Sequence, residues 1–240
     1  MNIRQVGQKA IELLRRTDSC TVSNAIETFN VRMRNEGYVQ GSVHCILPDL
    51  PPVAGYAVTG RIRTTAPPID GLCYYHRHDW WEYVSRFPSP KIIVMEDMDR
   101  EPGVGAFFGE IHAQIGKALG CTAYLTNGAV RDVDAIELAG VQCFADRVSV
   151  SHSYAHVTEF GEPVEIGGLT ISPGDLLQGD RHGIQRVPSD IADDLHSAIS
   201  EIVAHEAELI QLCQSPNFSI EKLEKALKKV PAWHARLEVR

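Results

Sequence analysis

Residues 109–120 run Gly109-Glu110-Ile111-His112-Ala113-Gln114-Ile115-Gly116-Lys117-Ala118-Leu119-Gly120, and Thr126-Asn127-Gly128-Ala129-Val130-Arg131-Asp132-Val133-Asp134 follows almost at once. Ile111, Ile115, Ala118 and Leu119 recur at helical spacing, which predicts a helix over 110–119 with those residues inward. Gly120 suits the C′ position, where a left-handed residue closes a helix. Residues 122–125 then read as a strand, Val133–Ala139 as a second helix ended by Gly140, and 141–145 as another strand. Just upstream, Lys91–Asp97 is a continuous apolar run, as in a strand covered on both faces. Strands alternating with short helices predict an α/β fold.

Towards the N-terminus, Ile3, Val6, Ala10, Leu13 and Leu14 predict an amphipathic helix over 3–16. A short helix is expected over 23–29, capped by Thr21 or Ser23. Residues 30–50 read as irregular, and 53–65 as a strand alternating around Ala54, Tyr56, Val58 and Ile62. Prolines bracket residues 66–90, which hold Tyr74, Tyr75, His76, His78, Trp80, Trp81, Tyr83 and Phe87; the second half reads as a short helix. Towards the C-terminus, Gly167-Gly168 and Pro173-Gly174 separate three short strands at 163–166, 169–171 and 175–177, with a last strand at Gly183–Val187. Ser189 is expected to cap a long helix with Asp190, Asp193 and Asp194 in its first turns and Ile191, Leu195, Ala198, Ile199, Ile202 and Leu209 inward. A final helix over 219–229 would turn Ile220, Leu223 and Leu227 inward. With no repeat or linker, one domain over 1–240 is expected, its core at about 17–188 and C-terminal helices at about 189–230.

The chain has 240 residues, 44% of them hydrophobic and 22% charged, with a formal net charge of −8. Such an acidic chain has no surplus of Lys and Arg to displace counterions from a phosphate backbone, so no nucleic-acid partner is expected. One local arginine still suffices to attract a small anion into a cleft. Cys20, Cys45, Cys73, Cys121, Cys143 and Cys213 form no C-x-x-C pair and read as reduced, mostly buried thiols of a cytoplasmic protein. No apolar signal region opens the chain, and no apolar run approaches the ~20 residues that span a bilayer, so no membrane partner is expected.

Glu110 and Arg131 are separated by twenty residues, giving acid-x20-Arg-Asp. An acid at one helix mouth and an Arg-Asp dipeptide at the next, with one strand between, can converge on one pocket. The first turn of a helix leaves N–H groups unpaired and favours a carboxylate, and Gly109 allows close approach to the backbone. Arg131 offers a fork of donors to a carboxylate or an enolate oxygen. Asp132 is a hard ligand suited to Mg²⁺ or Mn²⁺, and Glu110 can hold the waters of such an ion. These parts would bind a 2-oxo acid and stabilise the enolate left by C–C cleavage. A helix-capping glutamate and a surface Arg-Asp pair would give the same spacing.

The chain resembles the RraA-like family, which includes the 4-hydroxy-4-methyl-2-oxoglutarate aldolases. The resemblance rests on residues 18–26, Gly109-Glu110-Ile111-His112, Asn127-Gly128-Ala129-Val130-Arg131-Asp132, residues 140–145 and Pro173-Gly174-Asp175-Leu176. It implies a swivelling β/β/α domain with helical N- and C-terminal extensions, and homotrimers or homohexamers with active sites at subunit contacts. It implies that backbone groups of Gly109, Glu110, Ile111 and His112 bind pyruvate, that Arg131 binds substrate and that Asp132 binds a divalent metal cation. Family aldolases cleave 4-hydroxy-2-oxo diacids to pyruvate and a second keto acid, and many decarboxylate oxaloacetate. The same family holds non-catalytic ring proteins that regulate a ribonuclease. Asn24 stands where relatives usually have Asp, and Glu110 where they often have Asp.

His152 and His156 have i, i+4 spacing in a stretch that reads as loop or strand, so a structural or substrate-contact role is expected. His76 and His78 lie among aromatics and read as packing or subunit contacts, and Trp80 and Trp81 as core or interface anchors. Glu96, Asp97 and Asp99 read as solvated loop charge. Lys117 shows no sign of the burial a Schiff base needs. Residues 179–183 (Gly-Asp-Arg-His-Gly) read as a tight turn of the kind that can line a site. Glu201, Glu206 or Glu208 of a neighbouring subunit is a candidate for an accessory role.

Overall fold

The computed structural model describes residues 3–69 and 78–228; Cys73, Tyr74, Tyr75 and His76 lie outside the described residues. In chain order the strands are His44–Cys45 (β1), Val53–Arg63 (β2), Lys91–Asp97 (β3), Ala106–Phe108 (β4), Cys121–Thr126 (β5), Ala129–Val130 (β6) and Gln142–Ala145 (β7). Arg147–Val148 (β8), His156–Phe160 (β9), Val164–Ile166 (β10), Leu169–Ile171 (β11), Leu176–Asp180 (β12) and Gly183–Val187 (β13) follow. The helices are Gln8–Leu14 (α1), Ser19–Glu27 (α2), His78–Ser85 (α3), Glu110–Ala118 (α4), Val133–Ala139 (α5), Leu195–Gln214 (α6) and Ile220–Leu227 (α7).

The main sheet has the order β1-β7-β5-β3-β2-β12-β13, with β9 added along the far half of β2. The β2–β3, β3–β5 and β5–β7 pairs are parallel, while β12, β13, β1 and β9 pair antiparallel. Successive residues of a strand point to opposite faces, and both faces here are covered. Val58, Ile93, Met95 and Tyr124 pack with Trp80, Ala113 and Ile136 of the helices. Ala57, Ile92, Val94 and Leu125 pack with Ile166 and Ile171 of the β10–β11 hairpin. The layers are therefore hairpin, main sheet and helices, the β/β/α arrangement. Because β2 lies in mid-sheet, residues 53–60 are all buried, and it is not the half-exposed strand that alternation implies.

A second sheet of three very short parallel strands, β4-β6-β8, stands beside the first. None of the three is visible as a sequence period, since two or three residues are too few to show one.

Several expected boundaries move. The first helix begins at Gln8, because Gly7 is extended and its N–H goes to Asp193 Oδ1 at 2.8 Å. Ile3 and Val6 still pack inward, as extended chain. The second helix begins at Ser19, and its cap is Asp18, which accepts from the Thr21 N–H at 2.9 Å. Ser189 is not the cap of α6, whose N-cap position is Asp194; a 3-10 turn over Ala192–Asp194 precedes the helix. In α4 the inward residues are His112, Ala113 and Gly116, while Ile111 is exposed, because small residues let the helix lie close on the sheet. Beyond Ile202 no residue of α6 is buried, and α7 buries none, so Ile220 and Leu227 are exposed rather than inward. Among the cysteines, Cys121 and Cys143 are buried, Cys45 is half-buried, and Cys20 and Cys213 are exposed.

Candidate functional site

The small sheet brings the acid-x20-Arg-Asp residues together. Strands β4 and β6 run parallel with Phe108 opposite Val130. Each feeds a helix directly, so the mouths of α4 and α5 open side by side. The Arg131 N–H donates to Phe108 O at 3.0 Å, which extends the pairing one residue past the strands. Two strands, not one, separate the helices in sequence: β5 enters the main sheet and β6 the small one.

Asp132 occupies the N-cap of α5 with φ 53° and ψ 43°. This left-handed conformation costs an L-residue on the order of 1–2 kcal/mol, and such strain persists only where the surroundings impose it. It aims the carboxylate across to α4. Oδ2 of Asp132 accepts from the Glu110 N–H at 3.2 Å, and Oδ1 lies 3.3 Å from Arg131 Nε. Gly109 makes the approach feasible: a Cβ there would stand 2.6 Å from Asp132 Oδ2 and 3.0 Å from Arg131 Cγ. Its own backbone is ordinary extended chain, so the demand for glycine is steric.

Arg131 and Asp132 keep side-chain exposures of 30% and 37%, so neither is sealed into its contact with the other. Glu110 is exposed, and its carboxylate makes no hydrogen bond among the described residues. The His112 ring is buried, 4.6 Å from the Phe107 ring and 5.5 Å from Trp81. It packs the root of α4, so His112 can meet a ligand only through its backbone, while the Glu110 side chain stays open.

Among the described residues no three acids, histidines or cysteines cluster as a metal cage. One strained, half-exposed carboxylate with a second acid beside it does not suit zinc, which takes three or four protein ligands. It fits a hard cation such as Mg²⁺ or Mn²⁺, which keeps several waters and needs one or two carboxylates.

The Glu96, Asp97 and Asp99 cluster corrects the expectation of solvated charge. Asp99 is buried and accepts from the N–H and hydroxyl groups of Thr64 and Thr65 at 2.6–3.0 Å. Burial alone would raise its pKa, but these bonds outweigh it and hold the carboxyl below its ordinary value. Asp97 is buried too, and desolvation pushes its carboxyl up against the bonds it accepts from Gly103 and Asp99 N–H. Glu96 pairs with Arg61 at 3.0 Å. These acids fasten the loops after β2 and β3.

His152 Nδ1 and His156 Nδ1 each lie 2.7 Å from a backbone carbonyl oxygen, of Ser153 and Tyr154, in a loop and at the start of β9. That loop presses on β4: a Cβ on Gly105 would stand 2.5 Å from His152 O. Trp80 is fully buried, with the Phe160 ring 5.7 Å away. Lys117 closes the C-terminus of α5 through a 2.6 Å bond to Ala139 O.

A β/β/α protein with an arginine–aspartate pair and a glycine-flanked acid at adjoining helix mouths is the class that fold and site define. The chain belongs to the RraA-like family, whose Aldolase/RraA model matches residues 19–185. Over 84 residues it is 29% identical to a Halalkalibacterium halodurans protein that carries 4-hydroxy-4-methyl-2-oxoglutarate aldolase as a provisional name. That match covers 35% of this chain and 40% of the relative's length. An uncharacterised Pseudomonas syringae pv. tomato protein has a similar solved structure, with TM-score 0.73 and 20% identity over 96% of this chain and 98% of the other. Streptomyces coelicolor RraAS2, described as an unusual member of the RNase ES inhibitor RraA family, gives TM-score 0.66 at 20% identity over 86% and 100% of the two chains. Among the described residues no helix is long and apolar enough to cross a membrane.

Proposed function

We propose that this protein is a divalent-metal-dependent lyase that cleaves a C–C bond in small 2-oxo dicarboxylates through a pyruvate enolate. The reaction resembles that of 4-hydroxy-4-methyl-2-oxoglutarate aldolases, with oxaloacetate decarboxylation alongside. The observation that carries the reading is Asp132, held in a left-handed N-cap against the α4 mouth with Arg131 beside it and room made by Gly109. Family membership and the aldolase-named relative support it.

Asp132 would hold the Mg²⁺ or Mn²⁺, with Glu110 positioning its waters. Bound there, the cation supplies Lewis-acid polarisation of the 2-oxo group. Backbone N–H groups at the α4 mouth bind the substrate's C1 carboxylate. With oxaloacetate, the bond from C3 to the C4 carboxylate breaks, CO₂ leaves, and the electron pair moves onto the C2 oxygen as an enolate. Arg131 meets that developing charge with a fixed fork of donors, and protonation at C3 gives pyruvate.

The working form in this proposal is a cytoplasmic homotrimer or homohexamer. Ile111, Leu138, Val148 and Val150 are exposed on or beside the elements that frame the site, an apolar rim that a second copy would cover. The likeness to RraAS2 favours a second reading, a non-catalytic ring protein that regulates a protein partner.

Pyruvate release from oxaloacetate and from 4-hydroxy-4-methyl-2-oxoglutarate, with Mg²⁺ and with EDTA, separates the two. Turnover that EDTA abolishes and Asp132→Ala lowers on the order of 10³-fold is expected, since several kcal/mol of charge stabilisation is lost. No metal-dependent turnover on either acid leaves the regulator.

A further inference from the structure

A cavity of about 360 Å³ lies between α2 and β13 and shares no residue with the Arg131–Asp132 site. Helix α2 is sorted for it. Val22, Ala25 and Ile26 face the core, while Cys20, Ser23 and Asn24, on the adjoining flank, line the cavity. Arg34, Tyr38 and His182 line it from other segments.

The wall is built, not incidental. Asp180 is 4% exposed and accepts four bonds: from Ser19 N and Oγ at 2.7 Å each, from His182 N at 2.9 Å and from His182 Nδ1 at 3.1 Å. It pins the first turn of α2 and orients the His182 ring, so Nε2 is the nitrogen left for whatever enters. Buried Gln185 reinforces the floor, donating to Ser19 O at 2.8 Å and Gln178 Oε1 at 3.1 Å. A buried polar network of this kind is costly unless every member is paired, and this one fixes two cavity walls in register.

The charge of the lining is distinctive. The lining side chains include an arginine and a histidine and no carboxylate, and Asp180 behind them is already engaged by Ser19 and His182, in a chain of net charge −8. Arg34 reaches Glu27 at 3.4 Å but stays 65% exposed, a weak surface pair that a better acceptor displaces.

We propose that this cavity is a second binding site, for a small organic carboxylate. The planar fork of Arg34 takes the carboxylate, and His182, held by Asp180 through Nδ1, turns its Nε2 edge to the ligand. The Ser23 and Tyr38 hydroxyls and the Asn24 amide take polar groups on the body of the ligand.

Cys20 reports on occupancy directly, because it lines the cavity and its neighbours are the proposed contacts. The experiment follows alkylation of each cysteine by mass spectrometry with succinate or inorganic phosphate present. Cys213 is the exposed control, and unreactive Cys121 and Cys143 certify the fold. Succinate at ten times its dissociation constant should slow Cys20 about tenfold by mass action and leave Cys213 unchanged. Arg34→Gln and His182→Gln should each weaken that protection, and Ser23→Leu, which crowds the cavity without touching charge, should weaken it further. Three results overturn the proposal: protection by phosphate and not succinate, no protection by either anion, or slowing of Cys20 by rising protein concentration alone.

Discussion

Asp132 and Asp99 follow strands of the same α/β frame and are held in opposite ways. Asp99 is sealed, with Thr64 and Thr65 giving it four donors. Asp132 is more than a third exposed and in a left-handed backbone, with one N–H at 3.2 Å and the neighbouring Arg131 at 3.3 Å. A carboxylate whose lone pairs are all taken contributes to the scaffold. One held in place by strain and left partly unpaired has capacity for a cation or a ligand.

Substitutions at the two places should fail in different currencies. Gly109→Ala puts a methyl group 2.6 Å from Asp132 Oδ2, so the carboxylate must move. Pyruvate release should fall about 100-fold, the scale of a 1 Å displacement of a site group, with the melting temperature nearly unchanged. A large loss of stability with normal turnover would erase the contrast.

Asp99→Ala should do the reverse, costing on the order of 2 kcal/mol in urea unfolding by leaving buried donors unpaired. Turnover should stay near normal at temperatures where the variant is folded. The pH dependence sharpens the point. Hydrogen bonds hold the folded Asp99 carboxyl below its ordinary value, so its contribution is full above the unfolded value of about 3.9 and is lost as pH falls through the folded one. Asp97, raised by burial, changes stability with pH in the opposite sense. The difference between wild type and Asp99→Asn should therefore shrink as acid is added; a constant difference would show that Asp99 is not shifted.

The smallest effect belongs to the C-terminal arm. Leu227 is 58% exposed on a helix that buries nothing, so Leu227→Ser should change the stability of the monomer by less than about 0.5 kcal/mol. A larger loss in dilute protein would place α7 in the folded core.

Much of the frame was legible in the chain because continuous apolar runs and flanking glycines mark it. Lys91–Asp97 is a strand with the limits its pattern gives, and Val133–Ala139 ends at a left-handed Gly140 as expected. The convergence of the Gly109–Glu110 mouth with the Arg131-Asp132 dipeptide was visible as chemistry, but the small sheet that brings them together was not, because β4 and β6 carry too few residues for a period. The burial of Asp97 and Asp99 is hidden for another reason. A sequence displays a charge and not its partners, and the Thr64 and Thr65 donors to Asp99 lie 34 or 35 positions away. Ile3 and Val6 fit a helical spacing without being in a helix, because extended chain can bury the same residues.

The proposed function stands or falls on whether Asp132 and Arg131 together form a cation-dependent anion site at the α4 mouth. Oxalate, a stable stand-in for the pyruvate enolate, should be titrated calorimetrically into wild type and Asp132→Asn, each with Mn²⁺ and with EDTA. The account predicts one oxalate per chain in wild type with Mn²⁺, lost with EDTA and in the variant. Oxalate binding of equal strength in all four samples would contradict it.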